Sequence, residues 1–66
     1  MSKLKPILES VVANLELSMN SLEHAKNIAK DIGEERYEAM IEQVHDEIGQ
    51  NKRVIEDLVK VLSRKD

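Results

Sequence analysis

Glu42-x-x-His45 is the spacing in this 66-residue sequence that comes closest to a reactive constellation. Residues three apart share one face of a helix. A carboxylate and an imidazole so placed are the pair that di-metal four-helix bundles repeat on two helices, with one Glu from each of the other two. Glu16 and Glu23 would be the further carboxylates. Such ligands must project inward, yet each acid here stands one residue past an apolar position: Glu42 follows Ile41, Glu16 follows Leu15 and Glu23 follows Leu22. His45 flanks Val44, so the group reads as a solvated acidic face with a surface histidine, and no metal is expected. His24 beside Glu23 has no nucleophile to activate. There is no Cys, no glycine-rich phosphate loop and no converging Ser/His/Asp set. The sequence therefore predicts a non-enzymatic protein with no catalytic residue, cofactor or small-molecule substrate.

The elements that position these residues follow from composition and periodicity. Ten Lys plus Arg against thirteen Asp plus Glu give a formal charge of −3, with one Tyr and neither Phe nor Trp. The longest apolar runs span three residues, as at Val11–Ala13, far below the roughly 20 a membrane span needs. The N-terminal MSKLKPILES lacks the apolar stretch of a signal peptide, so a cytoplasmic location without membrane contact is expected. Without disulfides or thiolate metal sites, so short a chain must find stability elsewhere.

Leu4, Leu8, Val11, Leu15, Ser18, Leu22, Ala25, Ala29 and Ile32 recur in alternating steps of four and three, the signature of one helical seam. A second series, Tyr37, Ile41, Val44, Ile48, Asn51, Ile55, Leu58 and Leu62, keeps the rhythm out of phase with the first. Continuing the first register would put Arg36, Ala39, Gln43, Asp46, Gln50 and Arg53 on the seam, almost all of them polar, which disfavours one straight helix. A hairpin folded at Gly33 resolves the break: Leu4 with Leu62, Leu8 with Leu58, and so on to Ala29 with Tyr37 pair at residue numbers that add to 66. Ala29 against Tyr37, Ala25 against Ile41 and Ser18 against Ile48 set small residues opposite large ones. The predicted architecture is all-α, a single domain with helix 1 over about residues 4–31, a turn over about 31–34 and helix 2 over about 34–64. At the turn, Gly33 suits the left-handed end of a helix, whereas Asp31-x-x-Glu34 has the spacing of a capping box. The two assignments compete for the same residues. Pro6 belongs in the first turn of helix 1. Gly49 suggests a second turn and three helices, but Val44, Ile48, Asn51 and Ile55 hold register through it.

A lone hairpin of this shape encloses no interior, and the sequence widens each stripe beyond a two-stranded seam. Ile7, Val12, Met19 and Ile28 on helix 1, with Met40, Val54, Val59 and Val61 on helix 2, flank the seam and are the candidate dimer or partner interface. The expected resolution is a homodimer of two hairpins forming a four-helix bundle, with docking on a heterologous protein as the competitor. Asn51 is placed to fix register in either. Met19 and Met40 would also suit an adaptable surface. Leu17 is the one large apolar residue on neither stripe, near Asn14 and Ser21.

Two helices joined at a central Asp31-x-x-Glu34, with small and large residues layered along the seam, resemble the Rop family at the level of architecture. That resemblance implies a dimeric four-helix bundle that binds paired RNA loops through a polar, basic stripe with an aromatic on the outer face of helix 1. Here that face carries Glu9, Ala13, Glu16, Asn20 and Glu23, with no basic residue between Lys5 and Lys26. Such a face repels phosphates, so protein binding is the expected function and RNA binding the alternative. The hairpin also gathers Lys3, Lys5, Lys60, Arg64 and Lys65 against Asp66 at one end, a local balance of five minus one, or +4, which leaves −7 elsewhere. Asp31, Glu34, Glu35, Glu38 and Glu42 collect near the turn, where the acids at the start of helix 2 complement its dipole. The basic end would suit an acidic protein surface or phosphate.

Overall fold

A computed structural model describes residues 3–65, the backbone alone at Lys65. Asp66 of the basic end lies outside them. Two helices fold back on each other, α1 over Leu4–Asp31 and α2 over Glu35–Lys65. The hairpin measures 50 × 14 × 11 Å with a radius of gyration of 15.3 Å, against about 11 Å for a compact domain of this length. None of the helices is long and apolar enough to cross a membrane among the described residues.

The turn is a Schellman motif, and its hydrogen bonds decide between the two assignments open in the sequence. Ile32 is the C-cap of α1, and Gly33 follows at φ +77. The Glu34 amide donates to the Ala29 carbonyl at 2.9 Å, and the Gly33 amide donates to the Lys30 carbonyl at 3.1 Å, which satisfies two of the carbonyls a helix end leaves open. Asp31 is thereby kept inside α1 and does not serve as an N-cap. Glu34 precedes α2, accepting at its carbonyl from the Glu38 amide at 3.0 Å. Glu35 and Glu38 place negative charge in the first turn of α2, where the helix dipole favours it. At the other end α1 begins after Lys3, and Pro6 falls where a helix has no acceptor for its missing N–H.

Burial shows which residues meet. On α1 a half-buried line runs Lys5, Leu8, Val12, Leu15, Met19, Leu22, Lys26, with Ala29 fully buried and Val11 and Ala25 half-buried at its margin. On α2 it runs Glu38, Ile41, His45, Ile48, Lys52, Ile55, Val59, Leu62. Both alternate in steps of three and four, and in antiparallel order they match position for position, Leu8 with Val59, Leu15 with Lys52, Leu22 with His45 and Ala29 with Glu38. The pairing lies one residue beyond that expected from the apolar positions, so the seam is turned toward the charged side of the hairpin. Long lysine stems cover apolar neighbours while their ammonium groups reach water, which is how Lys5, Lys26 and Lys52 occupy seam positions.

Gly49 lies within α2, not at a second turn. A Cβ built there would stand 3.2 Å from Cε of Met19, the flexible end of a half-buried side chain. Because that methyl can move aside and Ala favours helix over Gly by about 1 kcal/mol, Gly49→Ala is expected to raise stability by about 0.5–1 kcal/mol. Chemical denaturation would show an unchanged slope and a higher midpoint.

Candidate functional site: an exposed apolar face

Taking the half-buried lines as the a and d positions of a heptad, the two sides of the hairpin differ sharply. In an antiparallel pair, e positions of both helices share one side and g positions the other. The e side is charged: Glu9, Glu16, Glu23, Glu42 and Glu56 line it, with Gly49. An ion pair and a histidine–carboxylate contact bridge the helices there. Lys26 Nζ lies 3.8 Å from Glu42 Oε1, and His45 Nε2 lies 3.8 Å from Glu23 Oε2. His45 Nδ1 also approaches Asp46 Oδ1 at 3.4 Å. Pairs so exposed contribute at most about 1 kcal/mol each.

The residues whose spacing suggested metal chemistry take part in these contacts. Glu42 and His45 each turn to a partner across the hairpin, one to a lysine and the other to a carboxylate. No three acidic or imidazole side chains converge to hold a metal among the described residues. The shallow pocket at this edge, lined by Glu23, Lys26, Glu42, His45 and Asp46, holds about 220 Å³ and is mostly polar. His24 is exposed on the outer surface.

The opposite side carries the g and c positions, and it is apolar. Ile7, Ile28, Ile32, Tyr37, Met40, Val44, Val54, Leu58 and Val61 are all exposed there, from 42% at Leu58 to 68% at Ile32 and Val54. Leu4 is 48% exposed on the same side. Of the large hydrophobic residues exposed among the described residues, Leu17 alone lies elsewhere, at an f position on the outer surface.

The structure thus redistributes the residues that the sequence assigned to a hairpin seam and a flanking interface. Leu8, Leu15, Leu22, Ala29, Ile41, Ile48, Ile55 and Leu62 lie between the helices, joined there by Val12, Met19 and Val59 from the expected flank. Leu4, Val11, Ser18, Ala25, Tyr37, Val44, Asn51 and Leu58 lie instead on the apolar side with Ile7, Ile28, Met40, Val54 and Val61. The reason is stripe width: apolar residues at a, d and g serve two contacts, and the alternation alone does not say which pair of columns closes the hairpin. Ile32, the last member of the first apolar series, is the C-cap of α1 and is exposed on this same face.

Polar residues divide the face into two lobes. Asn14, Ser18 and Ser21 on α1 and Glu47 and Asn51 on α2 form a belt midway along the hairpin. Ile7, Val11, Val54, Leu58 and Val61 lie on the side of the chain ends, and Ala25, Ile28, Tyr37, Met40 and Val44 lie toward the turn. No known family, curated protein or solved structure matches this chain, so the purpose of the face has to be read from its own residues.

Proposed function

We propose that this chain is a non-enzymatic interaction protein, a regulator, adaptor or assembly factor, whose working form is a homodimer: two hairpins joined through the apolar face into a four-helix bundle. The observation that carries this reading is the concentration of exposed large hydrophobic residues on one side of a hairpin in which only Ala29 is buried among the described residues. A globular monomer of 7.5 kDa exposes about 4,200 Å², whereas this hairpin exposes 5287 Å². The excess, about 1,000 Å², is of the size one partner contributes to a stable protein interface. A second copy brings a face of the same width and length, which an isologous contact requires.

Once that face is covered, the charged outer surface is what remains for other partners. Its acids on α1, Glu9, Glu16 and Glu23, favour protein over nucleic acid. Thermal unfolding at two concentrations a hundredfold apart tests the dimer, because coupling folding to association makes the midpoint depend on concentration. A rise in midpoint with concentration is expected. A helical protein whose midpoint stays fixed would reject the reading.

A further inference from the structure

We infer that the second copy lies head to tail on the first, its turn beside the chain ends of its partner. This inference rests on the dimeric reading above and adds orientation and register to it. The two-fold axis then crosses the helices at the polar belt, laying α1 along α1 and α2 along α2 of the second copy.

Charge selects the orientation. The end of the hairpin that carries the chain termini bears Lys3, Lys5, Lys60 and Arg64, with no acid among described residues 3–8 and 58–65. The turn end carries five acids, Asp31, Glu34, Glu35, Glu38 and Glu42, against three bases, Lys26, Lys30 and Arg36. A side-by-side dimer brings the two basic ends together and the two acidic turns together. Head to tail, each basic end meets an acidic turn. Like charges held within a Debye length, about 8 Å at physiological salt, repel, and opposed potentials across an interface fix partner register.

The pattern of the face sets the register. About Gly49, Glu47 and Asn51 are equally spaced along α2, and so are Val44 and Val54, Met40 and Leu58, and Tyr37 and Val61. On α1 the belt is centred near Ser18, with Val11 on one side and Ala25 on the other. A two-fold axis through this level therefore sets each apolar lobe on the opposite lobe of the second copy. It also sets Asn51 beside Glu47 of the second copy, where the amide N–H donates to the carboxylate and both polar groups keep a partner. Sliding the copies by one helical turn or more would push Glu47 and Asn51 against apolar side chains, a costly burial of unpaired polar groups.

Spin labels on single-cysteine variants test this directly, since the chain has no native Cys. Ser63→Cys marks the open end and Arg36→Cys the turn end, both at exposed positions away from the apolar face. Dimers carrying the label at Ser63→Cys on both copies are expected to give about 40 Å between labels, from 1.5 Å per helical residue. Mixed dimers pairing Ser63→Cys with Arg36→Cys are expected near about 20 Å. The reverse, short in the like-labelled dimer and long in the mixed one, would overturn the head-to-tail arrangement while leaving dimerisation intact. Sedimentation of the same samples separates the two failures, because a monomer would overturn the dimeric reading itself.

Discussion

Val44→Lys is expected to weaken self-association by at least about a hundredfold, or about 2.7 kcal/mol, while leaving the helices formed. Val44 is 44% exposed in the hairpin and sits at the inner margin of the turn-side lobe. In a symmetric dimer one substitution places two ammonium groups in the interface, and burying an unpaired charge costs several kcal/mol. In the isolated hairpin the same lysine would remain in water, so the effect falls on association and not on the helical content of the chain. Leu17→Lys is the matched control. Leu17 is more exposed, at 64%, but lies on the outer surface, and its replacement is expected to leave association unchanged. Analytical ultracentrifugation of the two variants beside the parent protein checks both outcomes. Equal effects of the two lysines would show that exposure of a large side chain, and not its place on this face, governs association.

Leu22→Ala is expected to destabilise the fold by about 2–3 kcal/mol, in the range for truncating a leucine packed in a core. Leu22 is half-buried between the helices, at the level of His45 and near its contact with Glu23. Removing its isobutyl group leaves space that two stiff helices cannot close without shifting along their length. Leu17→Ala removes the same atoms from an exposed site and is expected to change stability by less than about 0.5 kcal/mol. Urea denaturation of both variants decides the matter. Comparable losses would mean that the half-buried line is not where the hairpin derives its packing.

Much of the fold is legible in the sequence because it depends on a break of phase. Leu22 and Ala29 on one side of Gly33 and Ile41 and Ile48 on the other cannot share one stripe of a straight helix, so the chain must fold back. The turn is less legible. Asp31-x-x-Glu34 and Gly33 are both sound local signals, and only the amides of Gly33 and Glu34, closing on Lys30 and Ala29, show that the helix-ending signal prevails. A glycine that accepts φ +77 without strain supplies what Asp31 does not.

The rotation of the seam is the feature that apolar spacing conceals. Lys26 and Lys52 read as surface residues in any division into apolar and polar types, yet both are half-buried between the helices. Their methylene stems pack while their charges escape, and Lys26 reaches Glu42 across the hairpin. Val44 and Leu58 are thereby released to the far side. The breadth of the apolar stripe was visible in the sequence, but the column that closes the hairpin depends on how Met19, Gly49 and the charged e positions fit together. Met19 reaches the backbone of Gly49 on the charged side, its methyl 3.2 Å from where a Cβ would stand.

The central claim is that the apolar face is covered by a second copy, and the most direct test is the molecular mass of the untagged chain in solution. Sedimentation equilibrium at micromolar concentrations and physiological salt should return twice the 7.5 kDa of one chain for a helical species. A helical species that sediments as a single 7.5 kDa chain throughout that range would contradict the claim.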